Sequence, residues 1–414
     1  MINIAIMGHG TVGSGVAEVF FKSKESCERK VGQPMDIKYI LDLREFPGLA
    51  YSDRFTKEFS DIVDDPEVGI VAELMGGLHP AYEFVTACLR AKKSVVTSNK
   101  ELVAAKGAEL LALARENHVS FLFEASVGGG IPIIRPLHQC LAANEIKEIA
   151  GILNGTTNFI LTKMIHDGMD FDEALALAQQ LGYAERDPSA DVDGHDACRK
   201  ISILASLAFG RHVYPEYVHC EGIRDVTLTD VHYAASYGGA VKLIGRAVKL
   251  DGGRLLVMVS PAILSQESQL AGVSDVFNGI LVRGDATGDV VFYGKGAGKL
   301  PTASAVVADI LSAAKEPDQE RTLFWVDDGT NCVVDYLETD CAFFLRLSAS
   351  DIAAARKQAA ELLGETRELT IDGQARDEIG LITRPVRESR LEQVLKLLEE
   401  NGVKVRSRIR LLDY

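Results

Sequence analysis

The sequence predicts an α/β protein in which a doubly wound parallel sheet is followed by an α+β unit and then by a ferredoxin-like βαββαβ unit. Three observations carry this. An apolar strand, Ile2 to Met7, runs directly into a glycine turn and a helical pattern. Strands and helices then alternate as far as SVGGGIPIIRPL, which implies parallel pairing through right-handed crossovers. The closing segment follows the order β, α, β, β, α, β.

In the first unit the strand stops at Gly8, and from Val12 the run VGSGVAEVFFKS puts Val16, Val19 and Phe20 on one helical face. Further strands read IKYILDL (Ile37 to Leu43), GIVAELM (Gly69 to Met75), SVVTSN (Ser94 to Asn99) and VSFLFEA (Val119 to Ala125). The glycines and prolines of SVGGGIPIIRPL end the alternation, so a first domain is drawn over residues 1–130, completed by a returning helix at about 300–320. A middle domain over 131–299 holds helices at Thr157–Asp167, Asp172–Leu181 and Asp196–Phe209. Short β-branched strands follow in VKLIGRAVKL, GRLLVMVSPAIL, NGILVRGD and DVVFYGKG. The helical stretch Thr302–Ala314 is expected to pack back on the first domain.

The final domain, 333–414, reads as strand in VVDYLETDCAFFLRLSA, helix in SDIAAARKQAAELLG, strands in TRELTID and DEIGLITRP, helix in ESRLEQVLKLLEENG and strand in VKVRSRIRLL. Gly364 and Gly402 stand where each helix should stop.

Composition narrows the function classes. Hydrophobic residues at 47% and charged residues at 25%, with 12 prolines in 414 residues, describe a globular chain without long disordered stretches. A formal net charge of -15 repels phosphate backbones, so nucleic acid is not an expected partner. The seven cysteines are odd in number, dispersed and free of any CxxC pair, which points to reduced thiols in a cytoplasmic protein. No apolar run reaches the roughly 18–20 residues that span a bilayer, and MINIAIMGHG lacks a basic n-region and meets a glycine-rich turn at once, so neither membrane insertion nor secretion is expected.

Gly8-His9-Gly10-Thr11-Val12-Gly13 matches GxGxxG between a strand and a helix, where glycines let a pyrophosphate approach the N–H groups of a helix N-terminus. The first domain is therefore of the Rossmann type, with Gly8, Gly10, Thr11, Val12 and Gly13 against the dinucleotide. Asp42 closes the second strand where a ribose hydroxyl is held, which favours NAD. Arg44, two residues on, suits the 2′-phosphate of NADP, so both cofactors stay open with the lean toward NAD. Thr97, Ser98 and Lys100 end the fourth strand at the carboxyl edge of the sheet, where ligands of such folds sit, although a lysine there is also at home as a solvated charge.

The densest polar stretch runs from Gly182 through Tyr183, Glu185, Asp187, Asp191 and Asp193 to Asp196, with Lys200 one turn further. Asp196 and Lys200 are i and i+4 and share a helical face. A lysine directed into a cleft is brought toward the neutral amine by burial and can transfer a proton. The spacing of Asp187, Asp191 and Asp193 does not fit an EF-hand, and the alternatives for the stretch are a metal-binding loop or a plain surface loop. His195 is read either as a base or as an exposed loop residue. In GKGAGKLPT, Leu300 follows Lys299 where a phosphate loop needs Ser or Thr, so nucleotide hydrolysis is disfavoured and Gly298 is instead placed beside the dinucleotide.

Taken together, GHGTVGSGV, TSNKELVA, FEASVGGGIPII, GILNGTTNFIL, ALAQQLGYAERDPSADVDGHDACRKISILA and YGKGAGKLPTASAVVADI resemble the homoserine dehydrogenase family over nearly the whole chain. The final unit resembles the ACT regulatory domain. The resemblance implies NAD(P)-dependent interconversion of L-homoserine and L-aspartate 4-semialdehyde on the branch toward threonine, methionine and isoleucine. It implies Lys200 as proton donor or acceptor, Lys100 beside it in the active site, and Glu185 and Asp196, with Asp191 close by, as binders of the amino acid. It also implies a monovalent cation site, Na+ or K+, at Glu124, Val127, Gly129 and Ile131, and feedback by L-threonine through the ACT-like unit. Backbone N–H groups around Asn154, Gly155 and Thr156 suit the substrate carboxylate, and Tyr183 lines the same pocket. If Asp196 lies near Lys200, it opposes the effect of burial on the lysine.

The rival reading is a regulator that binds dinucleotide and amino acid without turnover, since both devices are binding devices. A sensor has little reason to keep Lys200 among acids beside the cofactor. An added kinase is excluded because the residues are already used. A homodimer or homotetramer is expected, because the apolar strands of the middle domain show no second covering layer and family relatives are commonly dimers.

Overall fold

The computed structural model describes residues 1–315 and 323–414, so the far end of the helix expected at about 300–320 lies outside the described residues. The chain opens with β1 (Ile2–Met7), α1 (Thr11–Val31), β2 (Met35–Leu41), β3 (Phe55–Thr56), α2 (Ser60–Val63) and β4 (Val68–Glu73). It continues with α3 (Ala81–Arg90), β5 (Ser94–Thr97), α4 (Lys100–Glu116) and β6 (Phe121–Leu122). These strands form one parallel sheet in the order β3-β2-β1-β4-β5-β6. The winding reverses between β1 and β4, and a crevice opens there at the carboxyl ends.

The two-residue β3 was not expected from the sequence. The strand expected over Val119–Ala125 is cut to Phe121–Leu122, because the chain bends at Glu124–Ser126. The bend turns the Glu124 carboxylate inward to accept the N–H groups of Ile133 (2.7 Å), Ile134 and Arg135 (both 2.9 Å).

The middle part comprises β7 (Ile146–Ile152), α5 (Gly155–Asp167), α6 (Phe171–Gln180), α7 (Ser189–Val192), α8 (His195–Phe209), β8 (His219–Cys220) and α9 (Leu228–Tyr237). Then come β9 (Gly239–Lys249), β10 (Leu255–Ser265), β11 (Phe277–Gly284), β12 (Gly288–Lys295) and α10 (Lys299–Lys315). Of these, β7, α7, β8 and α9 escaped the sequence reading, and β7 is the strand between β9 and β11. One face of the sheet is buried under α5 and α8 through Ile149, Leu153, Ile201 and Leu243. The opposite face, with Ile152, Ile244 and Leu281, is buried by Leu270 and Val273 of the 266–276 loop and by Leu412. The covering layer that the sequence did not reveal is thus supplied by the chain itself. As expected, α10 returns to the first sheet, where Ala303, Val306 and Ile310 pack with Val16 and Phe20 of α1.

The last part is β13 (Asp340–Ser348), α11 (Ile352–Leu363), β14 (Thr366–Leu369), β15 (Glu378–Thr383), β16 (Val386–Arg387), α12 (Glu388–Glu400) and β17 (Lys404–Leu412). Its sheet order β17-β13-β15-β14 is the ferredoxin-like arrangement. The first strand starts at Asp340 rather than near Val333, because Val333 bridges to Leu255 and a short turn, Tyr336–Glu338, intervenes. β17 also pairs in parallel with β10, from Ala262↔Arg410 to Leu264↔Leu412, which fuses the two sheets into a single eleven-stranded one.

Helix α9 covers the open face of the ferredoxin-like sheet. Fully buried Tyr233 lies where a Cβ on Gly380 would come within 2.5 Å of its ring. Beside it Arg346 reaches the fully buried Asp230 at 2.9 Å and Glu378 at 3.3 Å. Removing one member of a buried ion pair strands the other. Arg346→Met is therefore expected to cost about 3–5 kcal/mol in urea unfolding; an unchanged midpoint would show that this contact does not hold the two sheets together.

Candidate active site

At the head of the first sheet Gly8 adopts φ +96°, and a Cβ there would lie 2.9 Å from the Leu74 carbonyl oxygen. A Cβ on Gly13 would fall 1.9 Å from the Gly8 carbonyl oxygen, so helix and turn approach each other only through glycine. Helix α1 begins at Thr11 without a side-chain cap and without an acid in its first turn. Its leading N–H groups at Thr11, Val12 and Gly13 are free of a competing carboxylate, as an anion site requires. A cleft of about 720 Å³ opens here between Gly8, Gly10, Asp42, Arg44, Met75 and Phe84. This is the fit that a dinucleotide needs.

Asp42 follows β2 and is saturated with donors. It accepts from the N–H groups of His9 (2.8 Å) and Arg44 (2.9 Å) and from the Arg44 guanidinium at 3.0 and 2.8 Å. The guanidinium and these N–H groups hold its carboxyl below the usual carboxylate range against the opposing effect of burial. Gly298 precedes α10, whose first residue, Lys299, packs on Gly15 of α1, so the second glycine cluster does reach the flank of the first.

Further sequence candidates gather where three segments meet. β5 ends at Thr97, and the Asn99 side chain caps α4 by accepting from the Leu102 N–H at 3.1 Å, which makes Lys100 the first residue of that helix. α8 presents Asp196 and Lys200 on one face, as their spacing predicts. β7 runs out at Leu153-Asn154, where Asn154 caps α5 through the Thr157 N–H at 2.8 Å.

These segments converge on Asp196. Lys200 donates to its Oδ2 at 2.7 Å and to the Leu153 carbonyl at 2.8 Å. Lys100 ion-pairs with Oδ1. The Asn154 amide donates to Asp196 Oδ2 at 2.9 Å and to Asp191 Oδ1 at 2.7 Å, bracketing both acids. Burial alone would raise the Asp196 pKa, but the two ammonium groups hold it well below the usual range. Lys200 moves the other way for a lysine in an ion pair. Its burial, helped by the charge of Lys100, outweighs Asp196 and lowers its pKa. Asp191 is raised by burial and by its like-charged neighbour Asp196.

The remaining sequence candidates separate into two groups. Thr156 donates to the Tyr183 carbonyl at 2.8 Å, and the Tyr183 ring lies 5.1 Å from Phe159 with an exposed edge, so Gly155, Thr156 and Tyr183 border the same pocket. Glu185 lies on the exposed rim with no ion pair among the described residues, and His195 is likewise exposed. The acidic stretch as a whole is not a metal loop: Asp193 pairs with Arg224, Asp187 with Ser189, and among the described residues no group of three His, Cys, Asp or Glu side chains is placed to hold a metal. Two contributors escaped sequence reasoning. The Leu153 carbonyl carries no side-chain signal. Glu73, fully buried at the end of β4, was read as part of an apolar strand, although a lone acid inside such a run is itself a signal.

The family described as "Homoserine dehydrogenase, NAD binding domain" matches residues 8–124, and "Homoserine dehydrogenase" matches residues 132–311. The homoserine dehydrogenase of Pseudomonas aeruginosa is 37% identical over 100% of this chain and 99% of its own, and that of Synechocystis sp. is 46% identical over 75% and 73%. A crystal structure of a homoserine dehydrogenase from Thiobacillus denitrificans superposes with a TM-score of 0.89 at 35% identity, covering 100% of this chain and 98% of that one. A hyperthermophilic archaeal homoserine dehydrogenase in complex with NADPH gives 0.66 at 31%, covering 77% and 99%. With its glycine turn, and with two of these relatives matched over its full length, the chain belongs to the homoserine dehydrogenase family and uses a nicotinamide dinucleotide.

Proposed function

We propose that the protein interconverts L-homoserine and L-aspartate 4-semialdehyde, with Lys200 moving the proton at the substrate oxygen. The observation that carries the reading is a lysine amine, buried and fixed by Leu153 and Asp196, in a chain whose first sheet carries a dinucleotide turn. The nicotinamide ring, when bound, accepts or supplies the hydride. Lys200 takes the hydroxyl proton as homoserine is oxidised and returns it to the alkoxide oxygen as the aldehyde is reduced. Lys100 adds a second positive charge on the same carboxylate and steadies the developing oxyanion. Asp196 holds both lysines, Asp191 and rim-exposed Glu185 take the substrate ammonium, and the open N–H groups of Gly155 and Thr156 at the start of α5 take its carboxylate. A sensor without turnover would not need two lysines converging on one buried acid.

A monovalent cation fits the turn at Glu124, Val127, Gly129 and Ile131. These residues are buried, and their carbonyl oxygens accept no hydrogen bond among the described residues, while the Glu124 side chain is engaged elsewhere. The cation would neutralise those dipoles. For the cofactor, Asp42 favours NAD, and Arg44, which lines the same cleft, brings a guanidinium suited to a 2′-phosphate. The ferredoxin-like unit is read as an ACT-type sensor for L-threonine, and the chain as a homodimer or homotetramer. Seven free thiols are in keeping with a cytoplasmic enzyme, and no helix among the described residues is long and apolar enough to cross a membrane.

The test is absorbance at 340 nm with L-homoserine and either dinucleotide, with and without L-threonine. Homoserine-dependent reduction is expected and L-threonine should suppress it; no reduction with either cofactor would overturn the reading. Lys200→Ala should lose roughly 10²–10⁴-fold in kcat while still binding NADH.

Two further outcomes follow from the electrostatics. The oxidation step needs the neutral amine of Lys200, so its kcat/KM should rise with pH and level off above a pKa lower than that of an ordinary lysine. That limb should disappear in the residual activity of the alanine variant. Arg44→Ala should weaken NADP by roughly tenfold, the value of a charge-assisted hydrogen bond, and leave NAD nearly untouched; equal losses with both would refute the role of Arg44.

A further inference from the structure

Glu73 is a buried acid that the chemistry above does not use. It ends β4 at the point where the sheet reverses direction, fully removed from solvent, and no lysine, arginine or histidine pairs with it among the described residues. A buried carboxylate without a cation is costly and persists only where donors replace its water. Here its Oε1 accepts the Met75 N–H at 2.9 Å, and its Oε2 accepts the Thr97 hydroxyl at 2.7 Å. Burial pushes its pKa up against these hydrogen bonds.

The two oxygens hold the two walls of the crevice. Through Met75 one oxygen fixes the segment on which Gly8 of the dinucleotide turn packs, at 3.1 Å from the position of a Cβ. Through Thr97 the other begins a relay. The Thr97 oxygen accepts the Asn99 N–H at 2.9 Å, the Asn99 amide donates to the Gly77 carbonyl at 2.6 Å, and Asn99 caps α4. The next residue is Lys100, whose ammonium reaches Asp196.

We infer that Glu73 is a positioning residue, which registers the start of α4, and with it Lys100, against the dinucleotide turn through Thr97 and Asn99. The inference rests on the dehydrogenase reading, since its consequence is a misplaced Lys100. The charge state is part of the argument. A carboxylate accepts at both oxygens, whereas the amide of Glu73→Gln keeps one acceptor, and its N–H₂ group meets Thr97 only if that hydroxyl turns from donor to acceptor, which leaves buried protons without acceptors. Thr97→Val removes only the link to α4 and keeps the acid.

The parent enzyme is assayed first, so that its own turnover tests the dehydrogenase reading and the ratio of each variant to it tests Glu73. Glu73→Gln is expected to lose about tenfold or more in kcat, because small displacements of a reacting group cost that much. Thr97→Val should lose about threefold, with the Kd for NADH, read from its fluorescence, within about twofold of the parent in both. Since the two residues act in one relay, the double variant should be no worse than Glu73→Gln alone within about twofold. A parental kcat in Thr97→Val, strictly multiplicative losses, or a defect confined to NADH binding would overturn the proposal. Should Glu73→Gln fail to fold, Thr97→Val alone decides, because it leaves the buried acid and most of its donors in place.

Discussion

The Asp196 carboxylate is the constraint on which the rest of the molecule depends. It is buried, and an isolated carboxylate at such depth would be driven to its neutral form. It stays ionised because lysines from two different parts of the chain meet on it, Lys200 from its own helix and Lys100 from the first sheet. A buried ion pair of this kind adds little net stability, because desolvation consumes most of the attraction. What it adds is specificity of arrangement, since α4 and α8 can close on each other only where the charges match.

The same arrangement sets the charge balance at Lys200. A carboxylate devoted to a single lysine would raise that lysine's pKa and fix the proton. Here burial, together with the repulsion of the second ammonium at Lys100, outweighs Asp196 and lowers the pKa of Lys200. Lys100 stays partly exposed, so the desolvation falls unequally and the two lysines are not equivalent.

Much of this was legible in the sequence where function is local. The glycine turn could be read because only glycine permits φ +96° at Gly8 and the close approach at Gly13. The pairing of Asp196 with Lys200 follows from one helical turn, and the order of the final βαββαβ unit from its alternating patterns. What could not be read was tertiary. Nothing in the sequence spacing brings Lys100, at the start of α4, to Asp196 on α8. β7 was missed because its seven residues carry Lys147 and Glu148 among apolar ones, and Glu148 faces Arg246 and Arg283. The strand at Val119–Ala125 was overextended because its last acid turns away to meet backbone donors. The resemblance to a known family supplied the convergence that periodicity could not.

The fusion of two sheets through β10 and β17 gives the ferredoxin-like unit a physical route to the acid. Arg410 on β17 is buried between Glu388 and Glu221, at 2.6 and 2.7 Å. Gly222, next in the chain to Glu221, packs so closely on Val192 and Asp193 that a Cβ would lie 2.2 Å from the Val192 carbonyl oxygen. The Ile223 N–H donates to that same oxygen at 2.8 Å, and Arg224 grips Asp193. The segment so held is the turn that leads into α8 and carries Asp191 and Asp196. Because the interior is close-packed, a displacement of β17 cannot be absorbed along this line without moving Glu221 or breaking its ion pairs. The ferredoxin-like unit is thus joined to the turn before α8 by a continuous line of packed and ion-paired groups that runs from Arg410 through Glu221 and Gly222 to Val192 and Asp193.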